Sequence, residues 1–339
     1  MCVSIGNLTL RDPVLLAPMA GITDLPFRRQ VARFGVGMMV SEMIASREIA
    51  AGDARARAKA EIEGGLGLTS VQIAGREPHW VAEAARLAEG MGAPVIDINM
   101  GCPAKKVTGG LSGSALMRVP DLALSLIEAA AEAVSVPVTL KMRLGWDATT
   151  RNAPDIARRA EAAGVAMITV HGRDRCQFYE GAADWAAVGE TVRAVRVPVI
   201  VNGDIADADD ARAALRASGA AGVMVGRAAR GKPWLPARIA AGLAGRRPPA
   251  EPDPETQTEL VCAHYEDMLS FYGTEVGRRC ARKHLGWRLD HAPGATPLIA
   301  RLMREESPAR VLRALRAELP GLLAAAAAPT DPRAIEDAA

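Results

Sequence analysis

Short apolar runs alternate eight times with longer, Ala-rich amphipathic segments, and few folds accommodate that pattern. The predicted strands are Val14–Pro18, Met38–Glu42, Ser70–Ile73, Val95–Asn99, Val138–Met142, Met167–Val170, Val199–Asn202 and Gly222–Val225. Predicted helices between them include 78–89, 121–133, 154–163 and 207–217. Strands separated by helices of this length pair in parallel, because each helix returns the chain to the same end of the sheet. Runs this apolar suit strands covered on both faces. Eight such units predict a closed (β/α)8 TIM barrel rather than an open sheet.

The polar residues support closure by their position. They cluster just after the strands, as in Met19-Ala20-Gly21, Asn99 to Cys102, Lys141 to Arg143, His171 to Arg173, Asn202 to Asp204 and Gly226-Arg227. A barrel gathers all these strand ends at one mouth, where active sites are built.

The alternation stops near Ala244, and the Pro-rich segment 246–254 reads as a linker. The expected domains are therefore a barrel over 1–245, the linker, a helical region over 255–323, and a low-complexity tail over 324–339. The five cysteines are odd in number and form no CxxC pair, which points to a reducing compartment without a disulfide framework or zinc knuckle. No signal peptide and no long uninterrupted apolar span are evident, so a cytoplasmic monomer without a membrane anchor is expected. The net charge of +2 neither requires nor excludes a nucleic-acid partner.

Four constellations carry chemistry. Cys102 lies just past a predicted strand, before Pro103 and ahead of Gly109 and Gly110. A thiol, with a reference pKa of about 8.5, is mostly protonated at neutral pH. It can serve as an acid, or as a nucleophile beside a cation. Lys141 and Arg143 interrupt an apolar strand on the same side, so both can point into the mouth. Burying Lys141 requires a charge or acceptor to meet it. His171 has Gly172, Arg173 and Arg175 as near neighbours, a setting for a polar or anionic ligand. Asn202-Gly203-Asp204 and Gly226-Arg227 follow the seventh and eighth strands, where barrels bind phosphate.

No HExxH, GxSxG or GxxxxGK[ST] motif is present, so neither a metal nor a nucleotide-hydrolysis site is expected. Gly226 does not begin a GxGxxG run. A phosphate site at the last two strands, with Lys141 on the fifth and Gln72 on the third, suits flavin mononucleotide (FMN). Lys141 would face the N1/O2 edge of the ring, Gln72 would bond its edge, and Pro18-Met19-Ala20 would support it.

Taken together these residues resemble the tRNA-dihydrouridine synthases, in particular the bacterial B-type subfamily. The matching segments are Leu16-Ala17-Pro18-Met19-Ala20-Gly21-Ile22-Thr23-Asp24, Val71-Gln72-Ile73-Ala74-Gly75, Asp97-Ile98-Asn99-Met100-Gly101-Cys102-Pro103, Lys141-Met142-Arg143, His171-Gly172-Arg173, Asn202-Gly203-Asp204-Ile205 and Val225-Gly226-Arg227-Ala228. The resemblance covers about residues 5 to 320, and includes Ala281-Arg282-Lys283-His284-Leu285-Gly286-Trp287.

It implies FMN-dependent reduction of the 5,6 double bond of uridine in tRNA, with NADPH as electron donor. It implies FMN contacts from Pro18, Met19, Ala20, Gln72, Lys141, His171, Asn202, Gly203, Asp204, Gly226 and Arg227. Cys102 would be the proton donor at C5 of the base, with Asn99, Arg143 and Arg173 near the substrate. The base would first have to leave its stack.

Basic residues outnumber acidic ones from Arg278 to Arg316. Arg278 with Arg282 and Arg279 with Lys283 are i,i+4 pairs, predicted to form one basic face that binds tRNA phosphates. A small-molecule flavin reductase would have no use for such an appendage. One departure from the family pattern is Asp174, where Thr is common; an acid there is expected to offset Arg173 and Arg175.

Overall fold

The computed structural model describes residues 3–327, which form two compact units. The first holds the chain up to Ala229 together with Pro233–Pro249; the second holds Arg230–Lys232 and the described chain from Ala250 onward.

The first unit is a closed barrel of eight parallel strands: β1 (Val14–Leu16), β2 (Met38–Val40), β3 (Thr69–Ala74), β4 (Val95–Met100), β5 (Val138–Arg143), β6 (Met167–His171), β7 (Val199–Asn202) and β8 (Gly222–Val225). Each strand pairs with the next; β8 returns to β1 and β2 pairs with β3, so the described barrel has no open edge. A short additional strand, Ile44–Ala45, pairs with the far end of β3. The predicted strand 38–42 breaks because the Ser41 hydroxyl accepts from the Gln72 N–H at 3.1 Å, the place a continuing strand's carbonyl would take.

Strict alternation sorts the side chains. Outward residues such as Val14, Leu16, Ile96, Ile98, Leu140, Met142, Val201 and Val223 pack beneath the helices in the main core. Inward residues change character along the barrel axis. Near the strand starts they are Leu15, Met38, Val95, Met167, Ile200 and Met224, sealed with Val3, Ile5 and Leu10 around the antiparallel hairpin Ser4–Ile5 and Leu8–Thr9. Toward the strand ends they become Gln72, Asp97, Asn99, Thr139, Lys141, Arg143, His171 and Asn202, all buried. An apolar floor thus supports a polar upper layer.

The helices begin where the sequence offers caps. The carboxylates of Asp24, Asp184 and Asp207 accept from Phe27 N, Ala187 N and Asp210 N at 3.0, 2.9 and 2.8 Å, with Pro26 in the first turn after Asp24.

The second unit comprises helices Pro254–Tyr272, Thr274–Leu289, Thr296–Leu302 and Pro308–Ala327 around Cys262, Met268, Leu289, Leu315 and Leu319. The last helix runs four residues past the expected end at 323, since alanines propagate a helix readily. The rest of the expected tail, 328–339, and Cys2 lie outside the described residues. Among the described residues no helix is long and apolar enough to cross a membrane.

Gly37 enters β2 so closely that an added Cβ would lie 2.1 Å from the Asp12 carbonyl oxygen. Gly37→Ala is expected to cost about 2 kcal/mol or more, because backbone on both sides must shift. Thermal melting of the purified variant checks this; an unchanged midpoint would show that the strand entry has slack.

Candidate active site

Hydrogen bonds join the polar layer into two runs. Gln72, Asp97 and Thr139 are cross-strand neighbours on β3, β4 and β5, so register alone brings them to one level. Thr139 Oγ1 donates to Asp97 Oδ1 at 2.6 Å, and Gln72 Nε2 donates to Asp97 Oδ2 at 2.6 Å. Gln72 Oε1 accepts from Asn99 Nδ2 at 2.7 Å. Asn99 Oδ1 then accepts from the backbone N–H groups of Gly101 and Cys102 at 3.3 and 3.1 Å. Burial raises the pKa of Asp97, while the Thr139 and Gln72 hydrogen bonds and the Lys141 charge oppose it.

Lys141 is also buried, and its Nζ donates to Asn202 Oδ1 at 2.9 Å. Asn202 is itself fixed by donating to the Met224 carbonyl at 2.8 Å. Burial, then the neighbouring Arg143, pull the Lys141 pKa down to about 8. Burial holds His171 well below the usual imidazole range, helped by the surrounding cations, so the ring is neutral. Its Nε2 lies 3.4 Å from Arg173 Nη1. A guanidinium only donates, so a bond there makes Nε2 the acceptor and puts the proton on Nδ1.

Cys102 is half-buried on the loop after β4. Its carbonyl accepts from Ser114 N and Oγ at 3.1 and 2.9 Å, which ties the loop to the short helix Gly113–Arg118. Gly113 permits this approach: its φ is +59°, and a Cβ there would come within 2.8 Å of the Cys102 carbonyl oxygen. The thiol is near enough to Lys141 and Arg143 to interact with both charges. Pro18 and Met19 are half-buried and Ala20 is exposed in the turn after β1. That turn is pinned by Met19 N donating to Thr23 Oγ1 at 2.9 Å and by Gly21 N donating to the buried Glu42 carboxylate.

At the ends of β7 and β8, Gly203 has φ +117°, and an added Cβ would lie 2.8 Å from both Ala183 Cβ and His171 Cδ2. Only glycine suits that position. Asp204 follows with φ +54°. Gly226 leaves room, its virtual Cβ being 3.7 Å from Ala17 Cβ. Arg227 approaches Asp204 at 3.6 Å and stacks 4.7 Å from the centre of the Tyr179 ring.

Three expected ligand-facing side chains are already engaged. Arg173 is 2 % exposed and grips Asp204 in a two-pronged pair at 2.9 and 2.6 Å. It also donates to the Glu180 and Gly181 carbonyls, so it fastens the loop after β6 instead of facing a substrate. Arg143 donates to the carbonyls of Gly101, Asp174 and Phe178, each at 2.8 Å. It too ties loops together, and burial lowers its pKa to about 10. The Asp204 carboxylate, lowered by Arg173 despite the opposing effect of burial, also accepts from Ala183 N at 2.8 Å. Asp174 lies 3.9 Å from the Arg151 guanidinium and its charge reaches Arg143. It is buried, with its carboxylate accepting from Gln177 N at 3.0 Å within its own turn.

Within the helical unit the basic face is narrower than expected. Arg278 is buried and paired with Glu275 at 3.2 Å and Glu306 at 3.6 Å. Arg282 and Lys283 are half-buried, and Arg279 is exposed. The two pairs share one helix, but Arg278 is committed to two acids, one of them on its own helix.

The sequence alone placed Glu42 among the polar strand ends but did not single out Asp97, Thr139 or Tyr179. Asp97 carries the same signal as Lys141, a charge inside an apolar strand two residues from another polar side chain. Tyr179 left no such mark. It stands half exposed at the mouth, with Arg143 and Arg227 over its ring at 5.5 and 4.7 Å.

Residues 15–321 match the family model described as dihydrouridine synthase. A "probable tRNA-dihydrouridine synthase" of Rhodobacter capsulatus is 60% identical over 317 residues, covering 93% of this chain and 97% of that protein. A "tRNA-dihydrouridine synthase B" of Xanthomonas axonopodis is 42% identical over 337 residues, covering 99% of this chain and 100% of that protein. Among solved structures, a 2-naphthoyl-CoA reductase complex shares the barrel with a TM-score of 0.57 at 13% identity, over 72% of this chain and 52% of its own. At that identity the likeness concerns the fold alone.

A buried lysine lowered to about 8 makes stability depend on pH. Its folded pKa is below its unfolded value of 10.5, so the unfolded chain binds the extra proton between those limits. Relative to Lys141→Met, the parent is expected to gain stability as pH rises from about 8 toward 10.5. Parallel melting curves of the two proteins across that range check this; a constant gap would mean that Lys141 titrates normally.

Proposed function

The chain belongs to the dihydrouridine synthase family, and from this premise we propose that it reduces the 5,6 double bond of a uridine in tRNA with bound FMN and NADPH. The observation that carries the reading is the polar upper layer of the barrel. It sets a buried ammonium, Lys141, against amide groups with hydrogen bonds to spare, while Cys102 lies on the adjoining strand-end loop.

The donor set fits FMN. Lys141 is a cation held by one neutral acceptor, Asn202 Oδ1, and a nearby anionic ring edge would restore its proton affinity. Gln72 uses one N–H on Asp97 and one lone pair on Asn99, which leaves one of each for the ring edge. The roomy Gly226, Gly203 and the Arg227 guanidinium suit the phosphate, with Asn202 and the Asp204 backbone alongside. Neutral His171 would offer Nδ1–H, and the Pro18-Met19-Ala20 turn would contribute packing. NADPH recognition rests on the family reading alone.

When bound, FMN supplies the hydride that reaches C6 of the base, and NADPH restores it. Each turnover then needs one proton at C5. Cys102 is the group assigned to give it, since a thiol is protonated at neutral pH where a carboxylate is not. Asn99 holds the Cys102 N–H and so fixes the loop bearing the thiol. Solvent returns the proton after product leaves. Arg143 and Arg173 act as fasteners of the mouth loops. In the helical unit, Arg279 and Lys283 are the better candidates for tRNA phosphates, with Arg282 beside them and Arg278 excluded by its acids. On the same proposal the enzyme works in the cytoplasm as a monomer.

The purified protein is expected to be yellow, with an FMN spectrum, and tRNA from a strain lacking the gene should lose a dihydrouridine by mass spectrometry. A colourless preparation that cannot be reconstituted removes FMN from the reading. Cys102→Ala is expected to keep FMN while uridine reduction falls roughly 10²- to 10⁴-fold, and near-normal turnover would reassign the acid. Replacing Arg279 and Lys283 by Ala should lower the salt dependence of tRNA binding by about one unit of slope per residue. An unchanged slope would place the phosphates elsewhere.

A further inference from the structure

We infer that Asp97 is a positioning residue whose carboxylate sets the direction of every hydrogen bond from the barrel wall to the backbone of Cys102. An amide side chain can be turned end for end with little change in shape, so Gln72 and Asn99 each have two settings. Burial opposes the charge of Asp97, but two donors at 2.6 Å and the nearby Lys141 ammonium favour the anionic carboxylate, which only accepts. Both its oxygens are filled, by Thr139 Oγ1 and by Gln72 Nε2, each at 2.6 Å. That fixes the NH₂ end of Gln72 toward Asp97 and its oxygen toward Asn99. Asn99 must then present Nδ2 to Gln72, at 2.7 Å, and Oδ1 to the loop. The loop independently demands the same setting, because Gly101 and Cys102 offer backbone N–H groups, which only donate. The two ends agree, and one arrangement of four satisfies both.

The consequence extends to Gln72 itself. Gln72 retains one N–H and one lone pair, and their placement is settled by Asp97. Register makes this possible, since Gln72, Asp97 and Thr139 are direct cross-strand neighbours on three successive strands. That the spare groups of Gln72 meet FMN rests on the functional reading above; the chain of bonds does not.

The test is a reciprocal exchange. Asn99→Asp sets a carboxylate oxygen against Gln72 Oε1, and Asp97 prevents Gln72 from turning. Adding Asp97→Asn releases it: Asn at 97 donates to Gln72 Oε1, Gln72 Nε2 donates to the new Asp at 99, and Thr139 still donates to position 97. Asp97→Asn alone is expected to be mild, because Thr139 can redirect its hydroxyl to the Ile96 carbonyl, 3.4 Å away.

In melting of the full-length protein, N99D should fall by roughly 5 °C and the double variant should recover to within about 2 °C of the parent. A double variant that loses the sum of the two single losses overturns the proposal. If N99D alone does not fold, a cooperatively melting double variant is the expected rescue, and failure of both overturns it. FMN titration supplies the second readout. With Gln72 turned end for end, the double variant should bind FMN about tenfold more weakly than the parent even though its stability has returned, a lost hydrogen bond being worth about that factor. Affinity recovering with stability would overturn the claim that direction matters. A parent that binds no FMN but shows the melting rescue keeps the Asp97 chain and removes the flavin reading; a parent that binds FMN without rescue does the reverse.

Discussion

Closing eight parallel strands into a barrel forces half of their side chains into a space with little water. Every polar group placed there must find a partner inside the protein. The lower inward layer meets this constraint by being apolar, with Leu15, Met38, Met167 and Ile200 over the hairpin. The upper layer meets it by connection. Thr139, Asp97, Gln72 and Asn99 form one run, and Lys141, Asn202 and the Met224 carbonyl form another. The loops at the mouth hang from these runs and from Arg143 and Arg173.

This arrangement explains why two arginines in the matching motifs serve structure first. A guanidinium carries five donors in a rigid fork, well suited to gathering carbonyl oxygens from separate loops. Arg143 collects Gly101, Asp174 and Phe178; Arg173 collects Glu180, Gly181 and Asp204. The mouth is thereby shaped before any ligand enters, which limits the ordering a substrate must impose. Lys141 differs. Its Nζ donates to a neutral amide oxygen and its proton affinity is lowered, so an incoming anion would stabilise its charge.

Much of the fold and part of the site were legible in the sequence. Eight apolar runs with helices between them specify a parallel barrel, and the parity of Lys141 and Arg143 placed both inward. Cys102 on a strand-end loop and glycines after the last two strands also stood out. The limits are equally physical. The chain shows that Arg173 follows a strand, but its partner Asp204 lies 31 residues away, and only barrel closure brings them together. Arg278 and Arg282 share a helix face by spacing, yet Glu306 reaches Arg278 from a separate segment. The 38–42 strand broke because a serine hydroxyl replaced a carbonyl, a substitution invisible to periodicity.

Composition and period by themselves determined the architecture, the inward and outward faces, and the thiol, ammonium and imidazole available at the mouth. They did so because alternation and apolar content are local properties of the chain. Tertiary structure alone decided which of those groups remain uncommitted and which way each amide points. Those outcomes depend on partners that neighbouring strands and loops supply at hydrogen-bonding distance, and distance in space is what a linear sequence does not record.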